Sequence, residues 1–373
     1  MLEEKMKAFG NKISDIMMRK NLTREEAKEM FSQVLLNEQP DLQQGAFLVA
    51  LTMKGPTPEE IAGSWEAIYE LDTVKVTPKV SQPLVENCGT GMDTLKTFNI
   101  STAAAVVAAA NGIYMAKHGA RAITSKCGAV DILESVGVDV ECDAEIVKKS
   151  IERAGIGIFN GMSPKVHPQA LYRILSQIRF GTILNIAASL ANPALPRYGV
   201  RGVYSRELVK PTAQVMREIG YKKAIVVHGL NEDGTKGMDE ISTVGETIIA
   251  ELYESGEITS YTIAPEDVGI QRTNEYALLP SPDRKEEALS FLRILSGKDR
   301  GPKFEIVCLN AAPILYMMGQ AKDIKEGFNI AKETIETGQA VIKLREWVKE
   351  QNFDPEFGEK KLNSLLERIN VRL

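Results

Sequence analysis

Leu84-Val85-Glu86-Asn87-Cys88 runs directly into Gly89-Thr90-Gly91-Met92-Asp93, and Asn99-Ile100-Ser101-Thr102 then opens an alanine-rich stretch from Ala103 to Ala110. The first run reads as a short strand and the last as a helix packed closely against a neighbour, with a glycine turn between them. Working outward, Gly112 to Ala116 is a second strand that ends at Lys117-His118-Gly119. Asp131 to Val136 reads as helix, Val138-Asp139-Val140 as strand, Ala144 to Ala154 as helix and Ile156 to Phe159 as strand. Strands alternating with helices at this spacing indicate an α/β fold with a mostly parallel central sheet.

The flanks have a different character. Thr23-Arg24-Glu25-Glu26 and Thr57-Pro58-Glu59-Glu60 are helix starts, with threonine as N-cap and acids facing the helix dipole. Gly45 to Lys54 is an apolar helix between them, and helix returns from Pro168 to about Leu190. The organisation expected is a small helical N-terminal domain, residues 1–78, joined by helices from about 168–192. It is hinged to a larger α/β domain built from 79–167 and 193–373. Gly202-Val203-Tyr204 resumes the sheet and Lys223 to Gly229 is its clearest strand, followed by a polar loop at 231–240. Tyr261 to Ile263 and Glu305 to Leu309 read as further strands, Ala311 to Arg345 as helix, and Leu362 to Ile369 as an amphipathic helix.

Composition narrows the function. The 373 residues carry 45 Lys+Arg against 50 Asp+Glu, a net charge of −5, which argues against a sequence-independent grip on nucleic acid. The N-terminus, MLEEKMKAFGNK, has no apolar core of a signal peptide, and no apolar stretch reaches the roughly 20 residues of a membrane span. A cytoplasmic chain with four reduced thiols, Cys88, Cys127, Cys142 and Cys308, is the expectation. Three histidines without metal-ligand spacing argue against a zinc site, so oxygen ligands are the expectation for any metal.

Three segments then carry chemistry. Gly89-Thr90-Gly91 between a strand and a helix start can cradle phosphate, because glycines turn backbone N–H groups inward and the helix N-terminus adds positive charge. Lys117 ends the next strand and faces the same crevice in α/β topology, where Ser125 adds a hydroxyl. Asp239-Glu240 follows a strand and loop, and adjacent carboxylates suit Mg2+, which shares its coordination with substrate phosphates. Together they predict a magnesium–pyrophosphate site.

At these residues the chain resembles the anthranilate phosphoribosyltransferases over nearly its whole length. Lys117-His118-Gly119-Ala120-Arg121 through Gly128-Ala129-Val130-Asp131-Ile132-Leu133-Glu134 is similar to the family's KHGNR…SSxxGxADVLE pattern. Gly89 to Asp93 resembles its GTGGD loop, and Val226-Val227-His228-Gly229 with Asp239-Glu240-Ile241-Ser242 its VVHG…LDE(V/I)S segment. His167-Pro168, Asn192-Pro193-Ala194, Pro265-Glu266-Asp267 and Leu309-Asn310-Ala311-Ala312 fall in the family's order.

The resemblance implies a homodimeric enzyme of tryptophan biosynthesis. It would displace pyrophosphate from phosphoribosyl pyrophosphate with the amine of anthranilate, using electrostatics and positioning without a covalent intermediate. It implies that Gly89, Thr90, Gly91 and Asp93, with Thr94, contact pyrophosphate and ribose. Asn99, Ser101, Thr102, Lys117 and Ser125 would bind phosphates, and His118 and His167 would stand near the acceptor. Ser101, Asp239 and Glu240 would serve the magnesium, and His228 reads as structural.

The departures fall on the acceptor side. The asparagine of KHGNR is Ala120, the family's paired arginines become Leu175 and Ser176, and its Gly-Pro becomes Ala188-Ser189. Arg173 or Arg179 could supply the missing contact to the anthranilate carboxylate. Another aromatic or heterocyclic amine as acceptor, a pyrimidine nucleoside phosphorylase and a non-catalytic nucleic-acid-binding relative are the competing readings.

Overall fold

The computed structural model describes residues 2–91, 93–122, 127–178 and 180–372; Met92, Ser125 and Arg179 lie outside the described residues. Four helices come first: α1 (Leu2–Met17), α2 (Arg24–Leu35), α3 (Asp41–Lys54) and α4 (Pro58–Leu71). Thr23 and Thr57 each close a capping box with the glutamate three residues on. Glu60 does more than cap. Fully buried, it accepts from Leu22 N at 2.8 Å, Thr57 N at 2.7 Å and Lys54 Nζ at 2.8 Å, so one carboxylate ties the start of α2 and the end of α3 to α4.

The sheet follows. Its first part comprises β1 (Val85–Gly89), α5 (Ile100–Ala110), β2 (Met115–Gly119), α6 (Ala129–Val136), α7 (Ala144–Ala154) and β3 (Ile156–Asn160). Then come α8 (Leu171–Ile178) and α9 (Leu184–Leu190), and the sheet resumes with β4 (Tyr198–Gly202), α10 (Val209–Glu218) and β5 (Lys223–Leu230). The two-residue β6 (Gly237–Met238), β7 (Thr247–Leu252) and β8 (Ile258–Ile263) complete it. Five helices close the chain: α11 (Arg284–Leu295), α12 (Pro302–Met317), α13 (Ile324–Glu336), α14 (Gln339–Glu350) and α15 (Pro355–Arg368).

Strand order is β3-β2-β1-β4-β5-β7-β8, with β6 on β5. Pairing is parallel from β3 to β5 and antiparallel for β6, β7 and β8. The chain winds outward from β1 to β3 and then returns to the other side of β1 with β4. That reversal leaves a crevice beyond the carboxyl ends of β1 and β4, where α/β proteins bind ligands. Alanines let α5 sit within the core, since every residue from Ala103 to Ala109 is buried.

Helices α8 and α9 share an apolar cluster with α1–α4, and that cluster continues through α10 onto Val226 and Ala250 of the sheet. Asp72, just after α4, caps α8 by accepting from the backbone N–H groups of Ala170 and Leu171 at 3.1 and 2.8 Å. Trp65 donates to Leu190 O at 2.9 Å and anchors α9 to α4.

Several elements differ from the sequence reading. Glu305 to Leu309 is not a strand but the second turn onward of α12. A helix buried on all sides presents an uninterrupted apolar run, which looks like a buried strand over five residues. Val138-Asp139-Val140 is a connection after the left-handed Gly137, its valines alternating because they fill the core. The sheet resumes at Tyr198, ahead of Gly202-Val203-Tyr204, and β7 was not anticipated. The C-terminal segment seals the sheet edge. Gln351 accepts from Ile158 N at 2.8 Å and donates to Ile158 O at 2.9 Å, so its amide occupies the place of a neighbouring strand on β3.

Candidate active site

Four strand ends meet in one cleft of about 410 Å³. The loop after β1 is laid across the ends of β4 and β6: Thr90 N donates to Gly202 O at 3.1 Å, and Thr94 N and Leu95 N both donate to Gly237 O. Gly91 takes φ +68, turning its N–H onto Asp239 Oδ2 at 2.7 Å. Asp239 comes this close only because two positions lack a side chain. A Cβ on Gly89 would lie 2.1 Å from its carboxylate, and one on Gly202 would lie 1.6 Å from its backbone oxygen.

Glu240 Oε1 accepts from Ser101 N at 3.2 Å in the first turn of α5, where the helix dipole favours negative charge. Asp93 completes a set of carboxylates, with Lys96 Nζ 3.4 Å from its Oδ1. Burial pushes all three carboxyls above their usual range, Asp93 to about 6. Repulsion from Asp239 adds to the effect on Asp93 and Glu240. Among the described residues no three His, Cys, Asp or Glu side chains close into a finished coordination sphere. The donor set nevertheless fits Mg2+: oxygens only, crowded and under-neutralised, with room for phosphate oxygens and water as the remaining ligands.

Lys117 enters from β2, and it is not a solvated strand-end charge. It is buried, and its ammonium donates to Asn87 O and Asn87 Oδ1, both at 2.9 Å. Asn87 in turn donates to Ser101 O at 2.7 Å, locking strand, lysine and helix start together. Burial holds the Lys117 pKa below the ordinary lysine value. Asn99 precedes the first turn of α5 without capping it, and its side chain donates instead to Cys127 O at 3.2 Å. Asp131 accepts from Ala122 N and Gly128 N, each at 2.9 Å, and so pins both ends of the segment that contains Ser125.

Gly89, Thr90, Gly91, Asp93, Asn99, Ser101, Lys117, His118, His167, Asp239 and Glu240 therefore line one cleft. Two expected residues do not. Thr94 Oγ1 accepts from Gly237 N at 2.9 Å and so shapes the loop. Thr102 is fully buried, and its hydroxyl has no partner among the described residues. His228 stands outside the cleft lining, its Nδ1 2.8 Å from Val203 O.

The far wall is apolar, formed by Leu171, Leu175, Ile178, Leu184 and Ala188 with Phe180 at the mouth. Arg173 does not face this wall. It donates to Gln44 Oε1 at 3.1 Å and Val34 O at 2.8 Å, both in the helical bundle. His118 and His167 meet between wall and sheet, Nε2 to Nε2 at 3.2 Å. Asp72 O lies 2.6 Å from His167 Nδ1 and can only accept, so that nitrogen carries its ring's proton. His118 then faces two acceptors, His167 Nε2 from its Nε2 and Ser189 O at 3.3 Å from its Nδ1, and as a neutral ring it can donate to one of them.

Burial and the charge of its neighbour hold His118 at about 3, and burial lowers His167 too. The unfolded rings take up protons near 6.5 while the folded pair stays neutral, so the fold loses stability as pH falls from about 6.5 toward 3, by up to about 1.4 kcal/mol per pH unit for each withheld proton. The urea midpoint of His118→Gln should accordingly fall less steeply between pH 6.5 and 4.5 than that of the wild type. Equal slopes would exclude the buried neutral ring as the cause.

Asn87 and Arg201 were overlooked in the sequence. Their signal was a polar residue at a full-length position of a strand otherwise built to be buried, since polar groups in such strands must have partners.

A helical bundle leading into a parallel sheet, with a glycine loop, a buried lysine and a carboxylate pair at the strand ends, defines a glycosyltransferase architecture. Residues 81–341 match the glycosyl transferase family a/b domain, and residues 12–71 match the helical bundle domain of the same family. Anthranilate phosphoribosyltransferase of Persephonella marina is 38% identical over 341 residues, covering 88% of this chain and 96% of that protein. The solved anthranilate phosphoribosyltransferase of Thermus thermophilus superimposes with a TM-score of 0.82 at 32% identity, over 91% of this chain and 98% of that one. That of Saccharomyces cerevisiae, solved in complex with PRPP and Mg, has a TM-score of 0.76 at 25% identity, over 88% and 93%. The chain belongs to the anthranilate phosphoribosyltransferase family.

Proposed function

We propose that this chain transfers phosphoribose from phosphoribosyl pyrophosphate to the amine of anthranilate and releases pyrophosphate. The observation that carries the reading is the convergence of the Gly89-Thr90-Gly91 loop, Lys117 and Asp239-Glu240 in one cleft beside an apolar wall. Gly89, Thr90, Gly91 and Asp93 would contact pyrophosphate and ribose, and Asn99, Ser101 and Lys117 the phosphates, with Ser125 beside them. Thr94 and Thr102 would act indirectly, through the loop and α5. Asp239 and Glu240, with Ser101 near them, would hold Mg2+, which supplies charge to the departing pyrophosphate.

The chain's own residues do the rest. Departure of pyrophosphate leaves positive charge on the ribose, so the barrier falls when the leaving oxygens meet prearranged donors. Lys117 is already fixed by Asn87 at the cleft and needs no reorganisation to meet those oxygens. The neutral aromatic amine is a nucleophile as it stands, and the apolar wall with His118 and His167 would orient it.

The α1–α4 bundle with α8 and α9 would form one domain, 1–78 plus about 168–192, moving against the rest to exclude water. Met17, Met18, Leu42 and Met53, between 70% and 89% exposed on the bundle, suit a homodimer contact there. Among the described residues no helix is long and apolar enough to cross a membrane, which accords with a cytoplasmic enzyme.

The test is consumption of anthranilate, followed by its fluorescence, with phosphoribosyl pyrophosphate and Mg2+, beside pyrophosphate release over a panel of amines. Anthranilate turnover supports the proposal. Release with another aromatic amine alone would favour the second reading, for which the apolar wall and the diverted Arg173 speak. Arg173→Gln should leave the KM for anthranilate within about twofold while lowering thermal stability, since each lost hydrogen bond costs about 1 kcal/mol. A large rise in that KM would put Arg173 in the acceptor site after all.

A further inference from the structure

Among the described residues the acceptor wall is mostly aliphatic and carries no guanidinium, and Arg121, which lines the cleft, is taken by Glu134 and Glu141; an anionic aromatic amine needs a counter-charge there. A cation stands one layer behind it. Arg201, inside β4, is fully buried. Its Nη2 bonds Ser189 Oγ, and its Nη1 lies 3.4 Å from Ser189 O. Ser189 lines the cleft at the end of α9.

This guanidinium is poorly neutralised. Glu86 is 3.7 Å from Nη1, beyond hydrogen-bond distance, and its oxygens are taken by Tyr221 Oη at 2.6 Å and Asn192 Nδ2 at 3.2 Å. The Nε–H of Arg201 has no acceptor among the described residues, although nearly every buried polar group finds one. A buried charge left in this state projects its field along its remaining bonds, and two of those end on Ser189.

The hydroxyl of Ser189 is suited to pass that field on. It accepts from Arg201 and donates to Asn185 O at 2.6 Å, with Ile186 O as an alternative at 2.8 Å. Accepting a charge-assisted bond makes its own proton a better donor. Rotation about the Cβ–Oγ bond moves that proton from a helix carbonyl to a ligand oxygen in the cleft, while the oxygen keeps its bond from Arg201.

We propose that Ser189, backed by the buried Arg201, receives the carboxylate of an aromatic amine acceptor, in place of an arginine on α8. Arg201 acts as a positioning residue through Ser189 and does not touch the substrate. The inference rests on the phosphoribosyltransferase reading given above and specifies how its acceptor is recognised.

The experiment compares anthranilate with aniline, which lacks the carboxylate, as acceptors for the wild type, Ser189→Ala and the double variant Arg201→Met with Glu86→Gln. The double variant removes both buried charges together and so avoids leaving Glu86 uncompensated; its melting temperature reports whether it folds. In Ser189→Ala the KM for anthranilate should rise roughly tenfold or more, the loss of one hydrogen bond to a charged group, with kcat falling less than KM rises. The KM for phosphoribosyl pyrophosphate should not move, and the preference for anthranilate over aniline should shrink by the same factor. The folded double variant should show the same pattern. A wild type that turns over no anthranilate overturns the functional reading and the inference together. A wild type that does, with the KM for anthranilate unchanged in Ser189→Ala and in the folded double variant, leaves the reading standing and overturns the inference alone.

Discussion

Asp239→Asn combined with Glu240→Gln should abolish magnesium-dependent turnover, by about 1,000-fold or more, and in the same protein raise the melting temperature of the unliganded chain. Both effects come from one feature. The carboxylates of Asp93, Asp239 and Glu240 face one another at the cleft floor, and desolvation pushes all three carboxyls up. The amides are near-isosteric and keep an oxygen for Gly91 N and Ser101 N, the two backbone donors in place. What disappears is charge. Without it the cation has no anchor, so isothermal titration with Mg2+ should lose its signal independently of any assay of activity.

The stability gain has a definite pH dependence. The folded-state values lie above those of the unfolded chain, so the wild type binds protons on folding. Its penalty is present in full above the raised values and relieved as pH falls through them, near 6 for Asp93. The variant's advantage, about 2 °C or more at neutral pH, should therefore shrink on acidification. A variant that melts lower than the wild type and still turns over would show that this cluster is neither strained nor functional.

Much of this site was legible because its chemistry is local. A strand running into Gly89-Thr90-Gly91, a lysine at the next strand end and adjacent acids after a third each follow from residue type and position. Parallel topology brings such strand ends together without further information. The N-caps at Thr23 and Thr57 were readable for the same reason, since a capping box spans four residues.

What sequence did not reveal depends on contacts between distant segments. Lys117 looks like a solvated charge until Asn87, thirty residues earlier, is seen to receive it. Arg173 looks like a substitute for a lost arginine until α8 turns it onto Gln44 and Val34. Glu305 to Leu309 was read as strand because burial on all sides erases the helical period, and only the length of α12 separates the two. The pairing of His118 with His167 lies in the same class: both positions were flagged, but their contact depends on Asp72 placing α8.

Gly202→Ala tests whether the catalytic geometry depends on backbone approach as closely as these contacts imply. The added methyl would sit 1.6 Å from the backbone oxygen of Asp239 and 2.4 Å from its carbonyl carbon. No side chain can rotate away, because the obstacle is main chain. Gly202 is not free to retreat: it is held in register between Gly89 of β1 and Val227 of β5, and its own oxygen takes the N–H of Thr90. The segment carrying Asp239 must therefore move by an ångström or more, which displaces the carboxylate from Gly91 N and from any bound cation. Misplacement of that size costs about 100-fold in rate, and the broken packing should cost roughly 3 kcal/mol of stability. Gly45→Ala is the matched control. No atom lies within 4 Å of its added methyl, and it sits inside α3, where alanine is the better helix former. It should leave turnover unchanged and hold or slightly raise the melting temperature. If Gly202→Ala behaved like that control, the carboxylate pair could not depend on the glycine at the end of β4, and the close approach of strand end and loop would have no bearing on catalysis.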